Sequence, residues 1–373
     1  MHESTHSMKF IDLVAGARPN FMKIAPIIDA LRAAQSSGSS LGYRLVHTGQ
    51  HYARAMSGGF FEQLGIPEPD VNLGVGSGTQ AEQTAAIMIR YEKVLLEKRS
   101  DLCVVVGDVT STMACSIVAR KLGVPVAHVE AGIRSGDWAM PEEINRVVTD
   151  SITNWFFTTS ETANDNLRRA GVVDERIFFV GNTMIDTLLK QTPHLRPPVF
   201  WSELGLQPEQ YFVVTLHRPG NVDGEQQLVR LLHAIADGTG GLPVVFPVHP
   251  RTAKSLRQLD GQIPTMHYVD PQGYLEFNYL VKHAKGVITD SGGITEETTV
   301  MGVPCLTLRD NTERPETVTV GTNELVGTNP ANLAPALARL MAGQWKKGAI
   351  PDKWDGKAAE RIVTELERLL AGA

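Results

Sequence analysis

Three glutamates in one short stretch hold much of this chain's chemical information. From Val126 the sequence runs VAHVEAGIRSGDWAMPEEINR to Arg146, so an apolar strand leads straight into Glu130 and a glycine turn, then into the acidic pair Glu142-Glu143. A second apolar run, LCVVVGD, delivers Asp108 at its carboxyl end in the same way. In parallel sheets that end is where ligands sit, and a buried run of Val and Ala has no structural use for a carboxylate there. Two acids brought to one crevice by neighbouring strands form a usual acid/base pair for proton transfer. The competing reading is that Asp108 and Glu130 cap the helices that follow them. Arg134 and Arg146 close by weigh toward chemistry.

Two further segments have the makings of an anion site. Gly16-Ala17-Arg18-Pro19-Asn20 follows an apolar run and opens a helix containing Lys23, which can bring a guanidinium and backbone N–H groups to an anion. It lacks the full G-x-G-x-x-G and GKS/T patterns, which argues against a nicotinamide cofactor or an NTPase. Thr289-Asp290-Ser291-Gly292-Gly293-Ile294 ends an apolar strand in a hydroxyl and two glycines before a helix with Glu296 and Glu297. Glycines let the backbone approach a diphosphate, the helix start favours negative charge, and Glu297 could accept ribose hydroxyls. Arg314 in the charged run Arg309–Glu316 could reach the same group. His47, His51, His128, His217 and His249 fall at or near strand ends, but none has HExxH or close ligand spacing, so no metal is expected. His217-Arg218 and His249-Pro250-Arg251 read instead as contacts to a polar ligand or as proton-transfer groups.

The elements that must position these residues alternate. Lys9–Gly16, Tyr43–Gly49, Leu102–Asp108, Val124–Glu130, Asn154–Ser160 and Ile177–Asn182 read as strands separated by helical periodicity, which is the pattern of a parallel doubly wound sheet. Gln191–Ser202 holds three prolines and marks a linker. The alternation then restarts with strands at Tyr211–Leu216, Pro243–Val248, Met266–Val269, Gly286–Asp290 and Pro304–Arg309, and helices near Glu225–Ala236, Gly273–His283 and Gly293–Met301. The expected fold class is therefore α/β, with two Rossmann-like doubly wound domains at 8–190 and 200–354. A final helix within 355–373 is expected to pack back on the first domain. The 373 residues are too many for one ordinary core, and the net charge of −6 with no Lys/Arg block argues against nucleic acid. No apolar run reaches the roughly 20 residues of a membrane span. Cys103, Cys115 and Cys305, odd in number and without CxxC spacing, fit a reducing cytoplasm. Residues 1–7 read as a ragged terminus and carry no fold information.

In order along the chain stand GARPNFMK, TGQH, GDVTST, HVEAGIRSGD, MPEEINR, TTSE, GNTMIDT, LHRPGN, HPRT, TDSGGITEE, LRDNTERPE and GTNELVG. Together they resemble the motifs of the bacterial non-hydrolysing UDP-N-acetylglucosamine 2-epimerases, from about Lys9 to Gly327. The resemblance implies a GT-B arrangement of the two domains with an interdomain cleft, and interconversion of UDP-GlcNAc and UDP-ManNAc without cofactor or metal. In that chemistry the C2 proton is removed and UDP leaves, giving a 2-acetamidoglucal to which UDP returns. The family's catalytic positions fall on Asp108, Glu130, Glu142 and His217. Its nucleotide-binding positions fall on Arg18, Lys23, Arg146, Ser291, Gly292, Gly293, Glu297 and Arg314, with Phe277 near the uridine and His249 and Arg251 among the substrate contacts. A second UDP-GlcNAc is implied as an activator around Gln50, His51 and Arg218. The expected partners are the UDP-sugar and a second copy of the chain, as a homodimer.

The chain departs from the family pattern in four places. Asn20 stands where a Glu is common, the segment between Arg134 and Glu142 is shorter than in some members, Gly220 lacks a side chain where some have Glu, and Tyr52 sits where Arg often follows. Alternatives are a hydrolysing relative that releases UDP and ManNAc, a GT-B glycosyltransferase with an acceptor site and no C2 proton transfer, and a non-catalytic sugar-nucleotide binder.

Overall fold

Strands covered on both faces read as continuous apolar runs, and β4 (Leu102–Val106) is the clearest case, with every residue buried. The computed structural model describes residues 8–49, 63–248, 256 and 263–371, without the side chains of Arg18 and Pro219. The chain divides into two compact units, Met1–Lys190 with Asp352–Ala373, and Gln191–Pro351. Among the described residues no helix is long and apolar enough to cross a membrane.

The first unit holds a seven-stranded parallel sheet of β1 (Lys9–Ala15), β2 (Leu41–His47), β3 (Val71–Asn72), β4, β5 (Val126–Val129), β6 (Trp155–Thr158) and β7 (Ile177–Phe179), in the order β3-β2-β1-β4-β5-β6-β7. Val14, Val46, Cys103 and Val105 share one face with Ile87, Tyr91 and Leu95 of the helix Gln80–Glu97 and with Ala114 and Val118 of the helix Thr110–Lys121. Their neighbours Leu13, Leu45 and Val104 alternate to the other face and are equally buried. Each such side chain contributes about 1.5–3 kcal/mol through removal from water. Register is pinned by a charge. Asp12 and Arg44 are cross-strand partners on β1 and β2, joined by bonds of 2.8 and 2.9 Å, and the Tyr91 hydroxyl donates to the same carboxylate at 2.9 Å. A one-residue slip would leave both charges buried and unpaired.

The second unit repeats the plan with β8 (Phe212–Thr215), β9 (Val244–Pro247), β10 (Met266–Val269), β11 (Gly286–Thr289), β12 (Cys305–Thr307) and β13 (Asn323–Leu325), all parallel in the order β10-β9-β8-β11-β12-β13. Both units are thus Rossmann-like and doubly wound, with the strand order reversing between β1 and β4 in one and between β8 and β11 in the other. Two edge strands, β3 and β13, have two and three residues, too short to leave a pattern in the sequence. The strands expected to run through Asp108 and Glu130 stop at Val106 and Val129. There the chain turns through positive φ, +71° at Gly107 and +69° at Glu130, which no strand can continue.

The last helix, Ala358–Ala371, packs on the helix Arg18–Ser36 of the first unit. Its first N–H groups are capped by Asp186, which accepts from Ala358 at 3.2 Å and Ala359 at 2.7 Å. Burial pushes the Asp186 carboxyl up to about 6, against the opposing pull of those two N–H donors.

Asn20 bolts the sheet together where the strand order reverses. Its Oδ1 accepts from the N–H groups of Gly16 and Ala17, each at 3.1 Å, and its Nδ2 donates to the Val106 carbonyl at 3.0 Å. The turn after β1 therefore spends two of the N–H groups expected to face an anion on an internal acceptor. A carboxylate could accept as Asn20 does, but it could not donate. Asn20→Asp is expected to lose about 1–3 kcal/mol of unfolding free energy, by leaving the buried Val106 carbonyl facing an acceptor. An unchanged urea midpoint would remove the bolt.

Candidate functional site

In the first unit the candidate acids gather at the carboxyl ends of β4 and β5. Glu130 is buried at 3% exposure with φ of +69°, and its Oε2 lies 2.7 Å from Lys23 Nζ. Gly107 separates β4 from Asp108, and a Cβ on it would stand 3.3 Å from both Lys23 Nζ and Asn20 Nδ2, so glycine suits the close approach as well as the positive φ. Asp108 is more open. Its Oδ2 accepts from Arg146 Nε at 3.0 Å and Nη2 at 2.6 Å, while Asn145 Nδ2 donates to its backbone carbonyl at 2.9 Å.

The pair Glu142-Glu143 opens the helix Pro141–Ile152, and the structure separates the two acids. Glu142 is half-buried, whereas Glu143 is 2% exposed and fully employed. Glu143 accepts from the N–H groups of Ser135 at 2.9 Å and Gly136 at 3.0 Å, from the Ser135 hydroxyl at 3.0 Å, and from Arg146 Nη1 at 2.8 Å. Burial works against its charge, but the loop N–H groups and Arg146 outweigh it and hold the carboxyl below the usual range. Glu143 thus shapes the loop before the helix and anchors Arg146, which in turn grips Asp108.

In the second unit one aspartate organises the turn after β8. Asp290, at zero exposure, accepts from the N–H groups of His217 at 3.1 Å and Arg218 at 2.9 Å, and from Asn221 Nδ2 at 3.0 Å. His217 Nδ1 stands 2.7 Å from Asp290 Oδ1, which assigns the ring hydrogen to Nδ1 and turns Nε2 outward on a half-exposed side chain. Burial opposes the Asp290 charge, yet His217, Asn221 and Arg218 together hold its carboxyl below the ordinary value. At the next turn, Ser291 precedes the helix Gly292–Met301, whose buried Glu296 and Glu297 follow. Glu297 Oε1 accepts from the Tyr274 hydroxyl at 2.9 Å and from Asn278 Nδ2 at 3.4 Å. Arg314 Nε donates to Glu296, and Phe277 packs on the core beneath with Ile294.

Among the expected site residues, Asp108 and Glu130 lie just past strand ends of the first unit, with Lys23 on the helix Arg18–Ser36 and Glu142 and Arg146 on the helix Pro141–Ile152, and His217, Arg218, Ser291, Gly292, Gly293, Glu297 and Arg314 belong to the second unit. The cations Lys23, Arg146 and Arg314, expected at the nucleotide, are each engaged with a carboxylate of their own unit. Gln50, His51, His249, Arg251 and the Arg18 side chain lie outside the described residues. Sequence reasoning passed over Asp290 as the partner of His217, and Tyr274 and Asn278 as partners of Glu297. For Asp290 the signal was available, because it too is a carboxylate ending a buried apolar strand. For Tyr274 and Asn278 it was not, since they lie about one turn apart on a different helix from Glu297.

The sequence profile of the family described as UDP-N-acetylglucosamine 2-epimerase matches residues 33–367. A UDP-N-acetylglucosamine 2-epimerase from Methanocaldococcus jannaschii is 41% identical over 368 residues, spanning 95% of this chain and 97% of that one. The crystal structure of that organism's enzyme in complex with UDP-GlcNAc and UDP superposes with a TM-score of 0.84 at 40% identity, covering 98% of this chain and 100% of the other. A UDP-2,3-diacetamido-2,3-dideoxy-D-glucuronate 2-epimerase from Pseudomonas aeruginosa is 37% identical over 366 residues, 97% of this chain and 100% of that one.

Asp290→Asn should cost about 1–3 kcal/mol in urea unfolding, because the buried cluster loses its charge and one of two acceptor oxygens, replaced by an amide that donates. The same change should alter the His217 tautomer, read from its ring 15N shifts. Unaltered shifts would mean that Asp290 does not orient the imidazole.

Proposed function

The chain belongs to the UDP-N-acetylglucosamine 2-epimerase family, and from that premise we propose that it interconverts UDP-GlcNAc and UDP-ManNAc without net hydrolysis. The observation that carries the reading is the pairing of two acids, Asp108 and Glu130, on adjacent strand ends, each fixed by a cation and by a turn of positive φ. One carboxylate of the set Asp108, Glu130 and Glu142 takes the C2 proton. The C1–O bond then breaks, its electron pair leaves with UDP, and C1 and C2 become doubly bonded. Returning UDP oxygen re-forms the C1–O bond while C2 accepts a proton on the opposite face. His217, held through Nδ1, is suited to meet the sugar or the leaving diphosphate with Nε2. Phosphate binding falls to the Ser291-Gly292-Gly293 turn, the N-terminus of the helix behind it, and Arg314. Glu297 accepts the ribose hydroxyls. The proposed setting is the cytoplasm, where the buried, unbridged Cys103, Cys115 and Cys305 would be at home, and the proposed assembly is a homodimer.

Proton NMR of the protein with UDP-GlcNAc in D₂O is the direct test. Deuterium at C2 in both UDP-sugars is expected, whereas accumulating UDP and free ManNAc would mean hydrolysis, and a sugar without C2 exchange would mean neither. The uronate UDP-sugar of the Pseudomonas relative's name is the second substrate to offer, since the C2 chemistry is common to both. Asp108→Asn and Glu130→Gln should each lower turnover by about 10²- to 10⁴-fold with UDP affinity kept within a few-fold, because each removes a basic oxygen and little shape. Near wild-type turnover would leave the residue as no more than the structural partner of its cation, since neither caps a helix: Val109 and Met140 hold the N-cap positions of the helices that follow.

The ribose assignment has a pH signature. Burial pushes the Glu297 carboxyl up to about 7, with Glu296 beside it adding to the rise and the Tyr274 and Asn278 bonds opposing it. Ribose hydroxyls donate to the ionised form, so binding competes with the proton and UDP affinity should strengthen as pH rises through about 7. Calorimetry of wild type beside Glu297→Gln isolates this group from the titration of UDP itself. Parallel pH profiles for the two proteins would sink the assignment.

A further inference from the structure

Beneath the two candidate acids runs a buried chain of hydrogen bonds that none of the assignments above uses. His128 lies on β5 two residues before Glu130, with no exposed surface. Its Nε2 is 2.7 Å from the carbonyl oxygen of Gly107, the residue before Asp108, and its Nδ1 is 2.7 Å from Asp150 Oδ1. A carbonyl only accepts, so Nε2 carries a hydrogen. Asp150 Oδ2 in turn accepts from the Gly132 N–H at 3.0 Å and from Arg134 Nη1 at 2.7 Å. Burial opposes the charge on Asp150, but His128 and Arg134 outweigh it and keep the carboxyl below the usual range.

The chain of bonds therefore joins the turn that carries Asp108 to the turn that follows Glu130. Both turns are conformationally costly. Gly107, Glu130 and Gly132 have φ of +71°, +69° and +78°, a region in which the Cβ of a residue such as Glu130 crowds the following carbonyl oxygen. Two more bonds, from the N–H groups of Glu130 and Ala131 to the Phe157 carbonyl at 3.0 and 3.1 Å, hold the same bend. At Gly132 a Cβ would meet the Ala163 carbonyl oxygen at 2.4 Å, so the path of the turn has no room to drift on that side. Strained backbone persists only where its surroundings over-determine it, and His128 with Asp150 links these two turns through buried side chains.

We propose that His128 and Asp150 are positioning residues of the proton-transfer site, setting the separation of Asp108 and Glu130 through Gly107 and Gly132. This rests on the epimerase reading. Neither residue is expected to touch substrate, so the signature is a loss in kcat with KM and UDP affinity preserved.

The test is a graded series at His128 with Asp150→Asn beside it, each folded variant assayed for kcat, KM, UDP affinity and C2 deuterium exchange. His128→Leu removes both bonds and should lower kcat and the exchange rate by about 10²-fold, the order of loss that accompanies a misplacement of about 1 Å. His128→Gln, which restores a donor near the Nε2 position, should recover about tenfold of that loss. Asp150→Asn should lower kcat by about tenfold at unchanged KM, and it decides the matter where His128→Leu does not fold. A folded His128→Leu or Asp150→Asn with wild-type kcat, or a deficit that resides in UDP affinity, overturns the proposal. Wild-type protein that binds UDP but epimerises no UDP-sugar would overturn the functional reading instead.

Discussion

A carboxylate at the dry end of a parallel sheet exists as a charge only if the fold surrounds it with donors, and this requirement organises both units. Glu130 has Lys23, Asp108 has Arg146, Glu143 has two loop N–H groups with Arg146, and Asp150 has His128, Gly132 and Arg134. In the second unit Asp290 has His217, Arg218 and Asn221, and Glu296 has Arg314. Removing one partner from such a pair leaves an uncompensated charge, which typically costs about 3–5 kcal/mol. The local backbone follows from that demand. Glycine at position 107 leaves room for Lys23 and Asn20, and the left-handed bend at Glu130 turns the chain at the end of its strand.

The donors that permit these charges also fix where they point. Arg146 is the clearest instance, since one guanidinium grips Asp108 with Nε and Nη2 and Glu143 with Nη1. Lysine could not replace it, having no planar fork to span two carboxylates. A site built this way is pre-organised before any ligand arrives, which is the arrangement electrostatic catalysis requires. It also changes the part expected of the cations. Lys23, Arg146 and Arg314 are not open charges waiting for a diphosphate. Each is already shared with a carboxylate, so a nucleotide that uses them must add to an existing network.

Much of the fold was legible in the chain because parallel strands buried on both faces leave long apolar runs, and because glycine, proline and charge mark the turns between them. The runs at Leu102 and Val126 announced their strands, and the acids at their ends announced the candidate site. What stayed hidden was of two kinds. The edge strands β3 and β13 are too short for any period to register. Partners such as Asn20 with Val106 or His128 with Gly107 are separated by 86 and 21 residues, and nothing local encodes them.

The sequence by itself determined the two doubly wound units, the carboxylates at their strand ends and the family to which those motifs belong, because periodicity, turn chemistry and residue type are local properties of a chain. Only the tertiary structure decided which of two adjacent glutamates shapes the loop, which nitrogen of His217 faces outward, and which acid each buried cation serves. Those choices depend on which side chains the crossovers bring within about 3 Å of one another in a medium too dry to leave any charge alone.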